Sequence, residues 1–474
     1  MPPEPSIPAI PVPEQPLPFW RALVVGSRNW MSAVPAAAYE APVYAHRGPI
    51  GPPLLLVSDP DAVGRLLLER REDYPKSDLQ RRFTALALGN GVLLSEGATW
   101  RRHRRIMAPA FEPRALPAYA PGMVREAEAL AERWRAGDRA AVDVMAEMSE
   151  LTLAIISDAM FSTTRKDVRA AVAAGITEAL GLRPGLLDVL PGLRTLRARV
   201  RTARTRARFA PLEAAVRALV AERGGEPAEA GDLLGRLVAA RDDNGAVLSA
   251  EELRDQVVTI FFAGHETTAV ALTWVWLLLD RRPQAEARLH AELAEVLDGR
   301  APTAADVPKL RFTRAVIEET MRLYPPLSSL FARQAVRDDI VCGVRVKAGQ
   351  LLVVSPWIIH RHRALWDRPD DFDPDRFLDG RAATLPRHAY LPFGAGPRIC
   401  MGAAFAMMEA VLVLATLAQR VRLRLAGDAL PELQHRATLR PVGGLRMTVE
   451  ALRRPAAAKI AYPPLRRSLF FTPP

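Results

Sequence analysis

Residues 257–279, VVTIFFAGHETTAVALTWVWLLL, form the most apolar stretch of the chain and constrain its fold more than any other feature. The stretch is too long for one strand and long enough to span a bilayer. His265 and Glu266 lie near its centre, however, where a membrane span would bury them at high cost. Acidic residues precede the stretch and Arg281 follows it, as at the ends of a helix in water. We therefore predict a helix of about thirty residues through a protein core.

Apolar residues recur at helical spacing through the middle of the chain, over 120–136, 143–161 and 205–223. Short apolar or β-branched runs at 52–59 and 349–355 predict strands, and a helix is expected over 61–72. The run ATLRPVGGLRMTVEA at 437–451 predicts a hairpin around two glycines. The expected fold class is therefore mainly α with a small β component, that is, α+β.

The 474 residues show no repeat and no Gly/Ser-rich linker, although their length would allow about three domains. Many of the 41 prolines lie near the two ends. We predict one domain over 40–452, between a Pro-rich lead at 1–39 and a tail at 453–474. A composition of 49% hydrophobic and 25% charged residues is typical of globular proteins and excludes extensive disorder.

The two cysteines, Cys342 and Cys400, have no CxxC spacing, so neither a disulfide framework nor a structural zinc site is expected. The N-terminal prolines interrupt what would be the apolar region of an export signal, which favours a cytoplasmic protein. The formal net charge of +11 is compatible with nucleic acid, an anionic surface or an acidic protein partner. Charge alone does not choose among them.

Two short basic motifs suggest binding sites but do not define them. The sequence WRRHRR at 100–105 lacks interleaved aromatic residues, so a solvated helix face is a better interpretation than nucleic-acid contact. The sequence HRH at 360–362 offers two metal ligands without carboxylate or cysteine neighbours, which is a poor metal site.

A glycine-rich loop at 393–402, FGAGPRICMG, leads directly into an apolar helix. It lacks the Lys-Ser/Thr pair of a phosphate-binding loop. Its Cys400 precedes a helix N-terminus and lies close to Arg398, and both features favour thiolate over thiol. Taken alone, the loop favours a free buried cysteine without a catalytic role.

Three further motifs combine polar residues at helical or loop positions. Glu319 and Arg322 in EETMR share one helix face, and Arg376 belongs to a PDRF loop. In the long helix, AGHETT at 263–268 contains a glycine, which costs about 1 kcal/mol there relative to alanine and so suggests close approach of a ligand. Its acid and alcohol, Glu266 and Thr267, could relay protons or simply cap a kinked core helix.

In this order the motifs resemble those of the cytochrome P450 family of haem-thiolate monooxygenases. FGAGPRIC followed by Gly402 fits the FGxGxRxCxG signature of that family at every defined position. AGHETT, EETMR and PDRF occur at matching spacings, and the resemblance runs from about residue 40 to 452. The arginine-rich composition and the absence of a visible membrane anchor fit the soluble bacterial type, and the tail after Cys400 is too short for a fused reductase.

The resemblance implies that Cys400 is the axial ligand of the iron in haem b. Phe393 would shield the sulfur, and Gly394, Gly396 and Gly402 would allow the tight loop that brings backbone amides to it. The residues expected to hold the haem propionates are Trp100, Arg104, Arg333 and Arg398. Those of the structural triad of the family are Glu319, Arg322 and Arg376.

The resemblance also implies an oxygenase mechanism in the long helix. Ala263 and Gly264 would leave room for dioxygen, while Glu266 and Thr267 would feed it protons. The expected reaction is hydroxylation or epoxidation of a lipophilic small molecule. A haem-thiolate isomerase or dehydratase, a peroxygenase and a non-enzymatic haem sensor are the alternatives.

The family positions that line the substrate pocket carry apolar residues in this sequence: Phe83, Leu88, Phe262, Leu327, Leu330 and Val442. Electrons are expected from a separate ferredoxin or flavodoxin with its NAD(P)H reductase, and the resemblance places Arg101, Arg102, Arg105 and Arg398 near the face that would attract it. No nucleic-acid partner and no transmembrane anchor are expected.

Overall fold

The computed structural model describes residues 6–46, 53–137, 140–161, 214, 217–218, 232–242, 244–435 and 438–452. Its helices are α1 Phe19–Arg28, α2 Pro60–Gly64, α3 Asp78–Leu88, α4 Gly97–Met107, α5 Ala120–Ala136, α6 Val144–Phe161, α7 Leu233–Ala239, α8 Ala250–Arg281, α9 Pro283–Leu297, α10 Arg311–Leu323, α11 Pro356–Ile359 and α12 Ala403–Ala418. Its strands are β1 Val43–His46, β2 Leu54–Val57, β3 Ala141–Asp143, β4 Arg333–Gln334, β5 Asp339–Val341, β6 Val344–Val346, β7 Leu351–Val354, β8 Val421–Leu425, β9 Leu433–His435, β10 Leu439–Pro441 and β11 Arg446–Ala451.

Helix α8 confirms the long helix predicted from the apolar stretch, since it runs for 32 residues. Glu251 and Glu252 lie in its first turn and Arg281 in its last, where their charges complement the helix dipole. None of the described helices combines the length and apolar character that a bilayer span requires. The predicted helix over 205–223 falls almost entirely outside the described residues.

The described residues form two compact units. The first comprises Met1–Lys76, Met123–Leu151 and Thr267–Pro474, and the second comprises Ser77–Gly122 and Thr152–Glu266. All of the described strands lie in the first unit, whereas α3, α4, α7 and the N-terminal half of α8 lie in the second. The single domain over 40–452 stays a prediction, and the tail from residue 453 lies outside the described residues.

The largest sheet of the first unit has the strand order β1-β2-β7-β4, with β2 and β7 parallel. One of its faces packs on a core that includes Leu55, Leu66 and Leu352. The Pro-rich lead is attached to this unit, because Tyr324 Oη donates a hydrogen bond of 2.6 Å to the carbonyl of Pro8. Burial of apolar side chains on both faces of short strands explains their continuous apolar runs.

The predicted hairpin over 437–451 is wrong. Both strands exist, but β10 pairs with β9, whereas β11 pairs with β8 and with β3. Gly443 and Gly444 both have positive φ, and a Cβ on Gly444 would lie 2.2 Å from Asp143. The Asp143 carboxylate also accepts a hydrogen bond from the Leu445 amide at 3.0 Å. This contact directs β11 to β3 instead of back onto β10.

Candidate active site

The loop that carries Cys400 is closed by its own backbone. The Cys400 amide donates a 3.0 Å hydrogen bond to the Phe393 carbonyl, and the Gly394 amide donates to Leu391 at 3.2 Å. Gly396 has φ +69°, and a Cβ there would lie 2.2 Å from the carbonyl oxygen of Leu67. A side chain at position 396 is therefore excluded by a neighbouring backbone as well as by conformation.

Cys400 is exposed at the end of this loop, just before α12 begins at Ala403. A Cβ on Gly402 would lie 3.9 Å from the Cys400 sulfur. The glycine therefore keeps side-chain atoms away from the sulfur. Phe393, Gly394 and Arg398 are half-buried in the same loop. An accessible sulfur, small neighbours and a helix N-terminus form a donor set that suits a thiolate-ligated, flat cofactor.

His360 supports the start of this loop, a role that the sequence did not predict. Its Nε2 accepts a 2.7 Å hydrogen bond from the Leu391 amide. The imidazole is fully buried, and burial lowers its pKa to about 3, so it is a neutral acceptor. His362 is separately engaged with the Ala41 carbonyl. No metal-binding group of His, Cys, Asp or Glu occurs among the described residues.

Glu319, Arg322 and Arg376 meet in the interior of the first unit. Arg322 donates to both carboxylate oxygens of Glu319, at 2.7 and 2.8 Å, and Arg376 lies 3.4 Å from the same carboxylate. Arg322 also donates to the carbonyls of His360, Pro369 and Asp371. The ion pair is fully buried, with its hydrogen-bonding capacity used by backbone groups, so it ties α10 to the segment around residue 370.

The centre of α8 differs from the rest of that helix in its exposure. Ala263 is exposed, and Phe262, Gly264 and Thr267 are partly exposed, although most of the flanking positions are buried. Glu266 is fully buried. Because positions 263, 264 and 267 share one helix face, the helix offers a small apolar surface with one hydroxyl beside it.

Gly264 is tightly surrounded, because a Cβ there would lie 3.2 Å from Ile156 Cδ1. The neighbouring backbone is also held, since Thr152 Oγ1 donates to the His265 carbonyl at 3.0 Å. The absence of a side chain at Gly264 therefore allows α8 to pack closely against α6 and also leaves part of the α8 surface open.

Among the predicted propionate residues, Arg333 on β4 is only 7% exposed. Lys76, 5% exposed, forms an isolated backbone bridge with it and is a second buried cation that the sequence analysis did not select. The Lys76 ammonium lies 5.2 Å from the centre of the Phe331 ring, and two buried cations at paired backbone positions are compatible with a site for anionic groups. Trp100 and Arg104 lie half-buried on α4 in the other unit.

The basic motif at 100–105 is largely occupied by contacts within the second unit. Arg102 donates to Asp242 at 2.7 Å and to Glu252 at 2.6 Å. His103 is buried, with its ring nitrogens at 3.2 Å from Glu252 and 3.1 Å from Gln256. The Arg102 guanidinium is thus used in contacts within the unit, which corrects the expectation that Arg102 belongs to a docking surface. Arg101 and Arg105 are exposed.

The predicted pocket residues have different exposures. Leu88 is buried, while Phe262 and Leu330 are partly exposed. Leu327 and Val442 are 42% and 46% exposed. The side chain of Phe83 lies outside the described part of α3.

Comparison with known proteins identifies the class to which this fold and cysteine loop belong. A family model described as "Cytochrome P450" matches residues 29–447. The chain therefore belongs to the cytochrome P450 family, and it is a haem b protein and a monooxygenase. The residues of the cysteine loop fit this cofactor.

Three bacterial relatives are similar over most of their length. Cyclooctatin synthase of Streptomyces melanosporofaciens is 40% identical, with 79% of this chain and 82% of that protein covered. Pentalenene oxygenase of Streptomyces avermitilis is 36% identical, with coverage of 72% and 75%. Cyclooctat-9-en-7-ol 5-monooxygenase of Streptomyces melanosporofaciens is 35% identical, with coverage of 78% and 80%.

A solved structure supports the fold independently. The crystal structure of the cytochrome P450DA heme domain superposes with a TM-score of 0.79 at 28% identity and covers 94% of this chain and 99% of that chain. The expectation of a mainly α fold with a small β component is thereby confirmed.

Proposed function

We propose that this enzyme hydroxylates or epoxidises a cyclic terpene hydrocarbon or terpene alcohol. The observation that carries the proposal is the exposed apolar face of α8 at Ala263 and Gly264, beside the Thr267 hydroxyl. Three relatives with names of terpene-modifying enzymes support this substrate class. A rigid hydrocarbon skeleton suits an apolar site with few polar groups.

In this proposal, the Cys400 thiolate would hold the haem iron, and Phe393, Gly394 and Gly402 would surround the sulfur. The haem supplies the oxygen-activating chemistry when it is bound. The anionic propionates would be held by cationic and donor side chains, for which Trp100, Arg104, Arg333 and Arg398 are the candidates.

We assign the protons of the reaction to α8. With the cofactor bound, the Thr267 hydroxyl would donate a proton at this face, and the fully buried Glu266 carboxyl group would resupply it. Ala263 and Gly264 keep the surrounding face free of bulk. Correct timing of these protons separates oxygen insertion from release of peroxide.

We propose a ferredoxin or flavodoxin with an NAD(P)H reductase as the electron source. Arg101 and Arg105 are exposed, and Arg398 is partly exposed, so their positive charges lie where they would attract an acidic partner. We also propose a cytoplasmic location, because Cys342 and Cys400 form no disulfide.

The thiolate assignment is tested by the absorption spectrum of the reduced, carbon-monoxide-bound protein. Wild type should give the red-shifted Soret band of thiolate ligation, and Cys400→His should lose it. Cys342→Ser is the matched control, because it removes the other exposed cysteine and should keep the band. An imidazole-like band in wild type, or persistence of the red-shifted band in Cys400→His, would refute the assignment.

The reaction class is tested with Thr267→Ala and a panel of cyclic sesquiterpenes and diterpenes. A spectral shift on titration identifies ligands, and turnover is then measured with a surrogate ferredoxin and reductase. We expect Thr267→Ala to lower product per NADPH about tenfold or more and to raise peroxide release, since positioned proton transfer contributes about 10²–10⁴-fold. Unchanged turnover would favour the isomerase or dehydratase alternative.

A further inference from the structure

Glu409 is a buried acid in an otherwise apolar helix. It is the sole charged residue of α12, AAFAMMEAVLVLATLA, and it is 1% exposed. Its neighbours Met408, Ala410 and Val411 are all buried apolar residues. The roles proposed above do not use this carboxyl group, although retaining it in a core position is costly.

Glu409 makes a polar contact with α8. Its side chain shares a hydrogen bond with Thr268 of α8, which is itself 4% exposed. Its Oε1 atom has no hydrogen-bond partner in the described part of the chain. Both residues belong to the first unit. The bond therefore connects α12, the helix that follows Cys400, to the turn of α8 that contains Thr267.

These contacts suit a neutral carboxylic acid better than a carboxylate. A carboxylate has two charged acceptors, and one of them would be left without a donor in an apolar interior. A neutral acid can donate its proton to the Thr268 hydroxyl and leave only an uncharged carbonyl oxygen unpartnered. Burial raises the pKa of Glu409 well above its usual range and outweighs the hydrogen bond with Thr268, which acts in the opposite direction.

We propose that Glu409 is a protonated positioning residue that clamps Thr268 and thereby fixes the orientation of the neighbouring Thr267 hydroxyl. This inference rests on the role proposed for Thr267. A hydrogen bond to this turn of α8 would compensate for weak helix propensity, because a glycine and two threonines lie between residues 264 and 268.

Glu409 acts through the helix and not by direct proton transfer to Thr267. Consecutive side chains on an α-helix diverge by about 100°, so Thr267 and Thr268 occupy different faces. The hydrogen bond to Thr268 therefore restricts rotation of this turn about the helix axis. Breaking this hydrogen bond would deprive the buried Glu409 carboxyl group of the partner that Thr268 provides, which is costly in an apolar interior.

The protonation state is tested by infrared difference spectroscopy of the holoenzyme at pH 8, wild type minus Glu409→Gln. We expect a carboxylic-acid C=O band that shifts in D2O and is absent in the variant. Subtraction isolates Glu409 from Glu318, another buried acid whose pKa is raised by burial. Absence of the band would overturn the proposal and would leave the assignment of Thr267 untouched.

The clamp is tested by a double-mutant cycle on unfolding of the holoenzyme, with Glu409→Leu, Thr268→Val and both together. We expect the two changes to be non-additive, with a coupling of about fivefold in the unfolding equilibrium constant, as for one net hydrogen bond. Thr416→Val is the matched control, because Thr416 is also buried on α12 but donates to its own helix at Leu412. Additive effects would contradict the clamp.

The positioning role is tested by peroxide released per electron pair consumed. Glu409→Leu should raise this ratio about fivefold, as expected for the loss of one net hydrogen bond. Glu409→Gln, which keeps a neutral donor, should restore the wild-type ratio. Equal leakage from both variants would overturn the neutral clamp. If Thr267→Ala itself releases no extra peroxide, the proposed proton pathway has failed instead.

Discussion

The cysteine loop at 393–402 and the centre of α8 at 262–268 are built in opposite ways. The loop is fixed by backbone hydrogen bonds, by His360 beneath Leu391 and by a glycine whose Cβ would collide with the Leu67 carbonyl. The centre of α8 combines weak helix formers with an exposed face. The difference indicates that changes in the loop should cost stability and cofactor, whereas changes in α8 should alter chemistry at nearly constant stability.

Gly396→Ala should show the largest effect. Its Cβ would meet a backbone oxygen at 2.2 Å in a residue with φ +69°, so we expect a loss of at least about 3 kcal/mol, or a displaced loop. The measurements are denaturant unfolding and the haem-to-protein ratio. Gly427→Ala is the control, because it shares the positive φ but has open space around it, and it should cost about 1–2 kcal/mol. Equal losses in both variants would show that the loop is not specially constrained.

Arg322→Met should be about as damaging. It leaves the fully buried Glu319 carboxylate with Arg376 as its cation and removes donors to three carbonyls, so we expect about 3–5 kcal/mol. Arg363→Ala removes an ion pair with Glu40 in which both side chains are more than half exposed, and should cost less than about 1 kcal/mol. Similar unfolding midpoints for the two variants would contradict the structural role of the buried network.

Acid should act on the loop region through His360. Its pKa is about 3 in the folded chain against 6.5 for an ordinary histidine, so the unfolded chain binds the extra proton first. Stability is therefore lost as the pH falls from about 6.5 towards 3, by up to about 1.4 kcal/mol per pH unit for this group. His360→Gln, which keeps a neutral acceptor, should flatten the dependence of unfolding free energy on pH. An unchanged slope would mean that the imidazole is protonated in the folded chain.

A second histidine provides a comparison outside the loop. Burial lowers the pKa of His290 to about 4, so it destabilises the fold over an overlapping pH window. His290→Gln should reduce the slope as well, but it should not change retention of haem in acid. If wild type loses haem at a higher pH than His360→Gln does, the acid sensitivity lies at the cysteine loop.

Local sequence patterns predicted the long helix α8 and brought Cys400, Glu319 and Thr267 to attention, because spacing within one element or one loop carries that information. The partners of these elements are not local. Nothing in HRH at 360–362 indicates that Leu391 donates to His360, and nothing in the glycines at 443–444 indicates that β11 avoids β10. Such pairings depend on long-range packing, which overrides local propensity.

Glu409 illustrates an intermediate case. A lone acid in an apolar helix is visible in the sequence, and it marks a buried polar group that needs an explanation. Its partner Thr268 lies on a different helix, so only the fold connects the two. The same holds for Lys76 beside Arg333, whose burial no periodicity predicts.

Gly264→Ala should have the smallest effect on stability and sharpens the comparison most directly. Alanine gains about 1 kcal/mol of helix propensity, but its Cβ would lie 3.2 Å from Ile156 Cδ1, which must shift by a few tenths of an ångström. We expect the two effects nearly to cancel, with a net change within about 1 kcal/mol in thermal unfolding. The added methyl group should nevertheless weaken binding of cyclic terpenes in spectral titrations, because it reduces the open face beside Ala263. Gly26→Ala in α1, where the Cβ has ordinary contacts, is the control and should stabilise the protein without changing ligand binding. A destabilisation as large as that of Gly396→Ala would show that the centre of α8 is as rigidly specified as the cysteine loop.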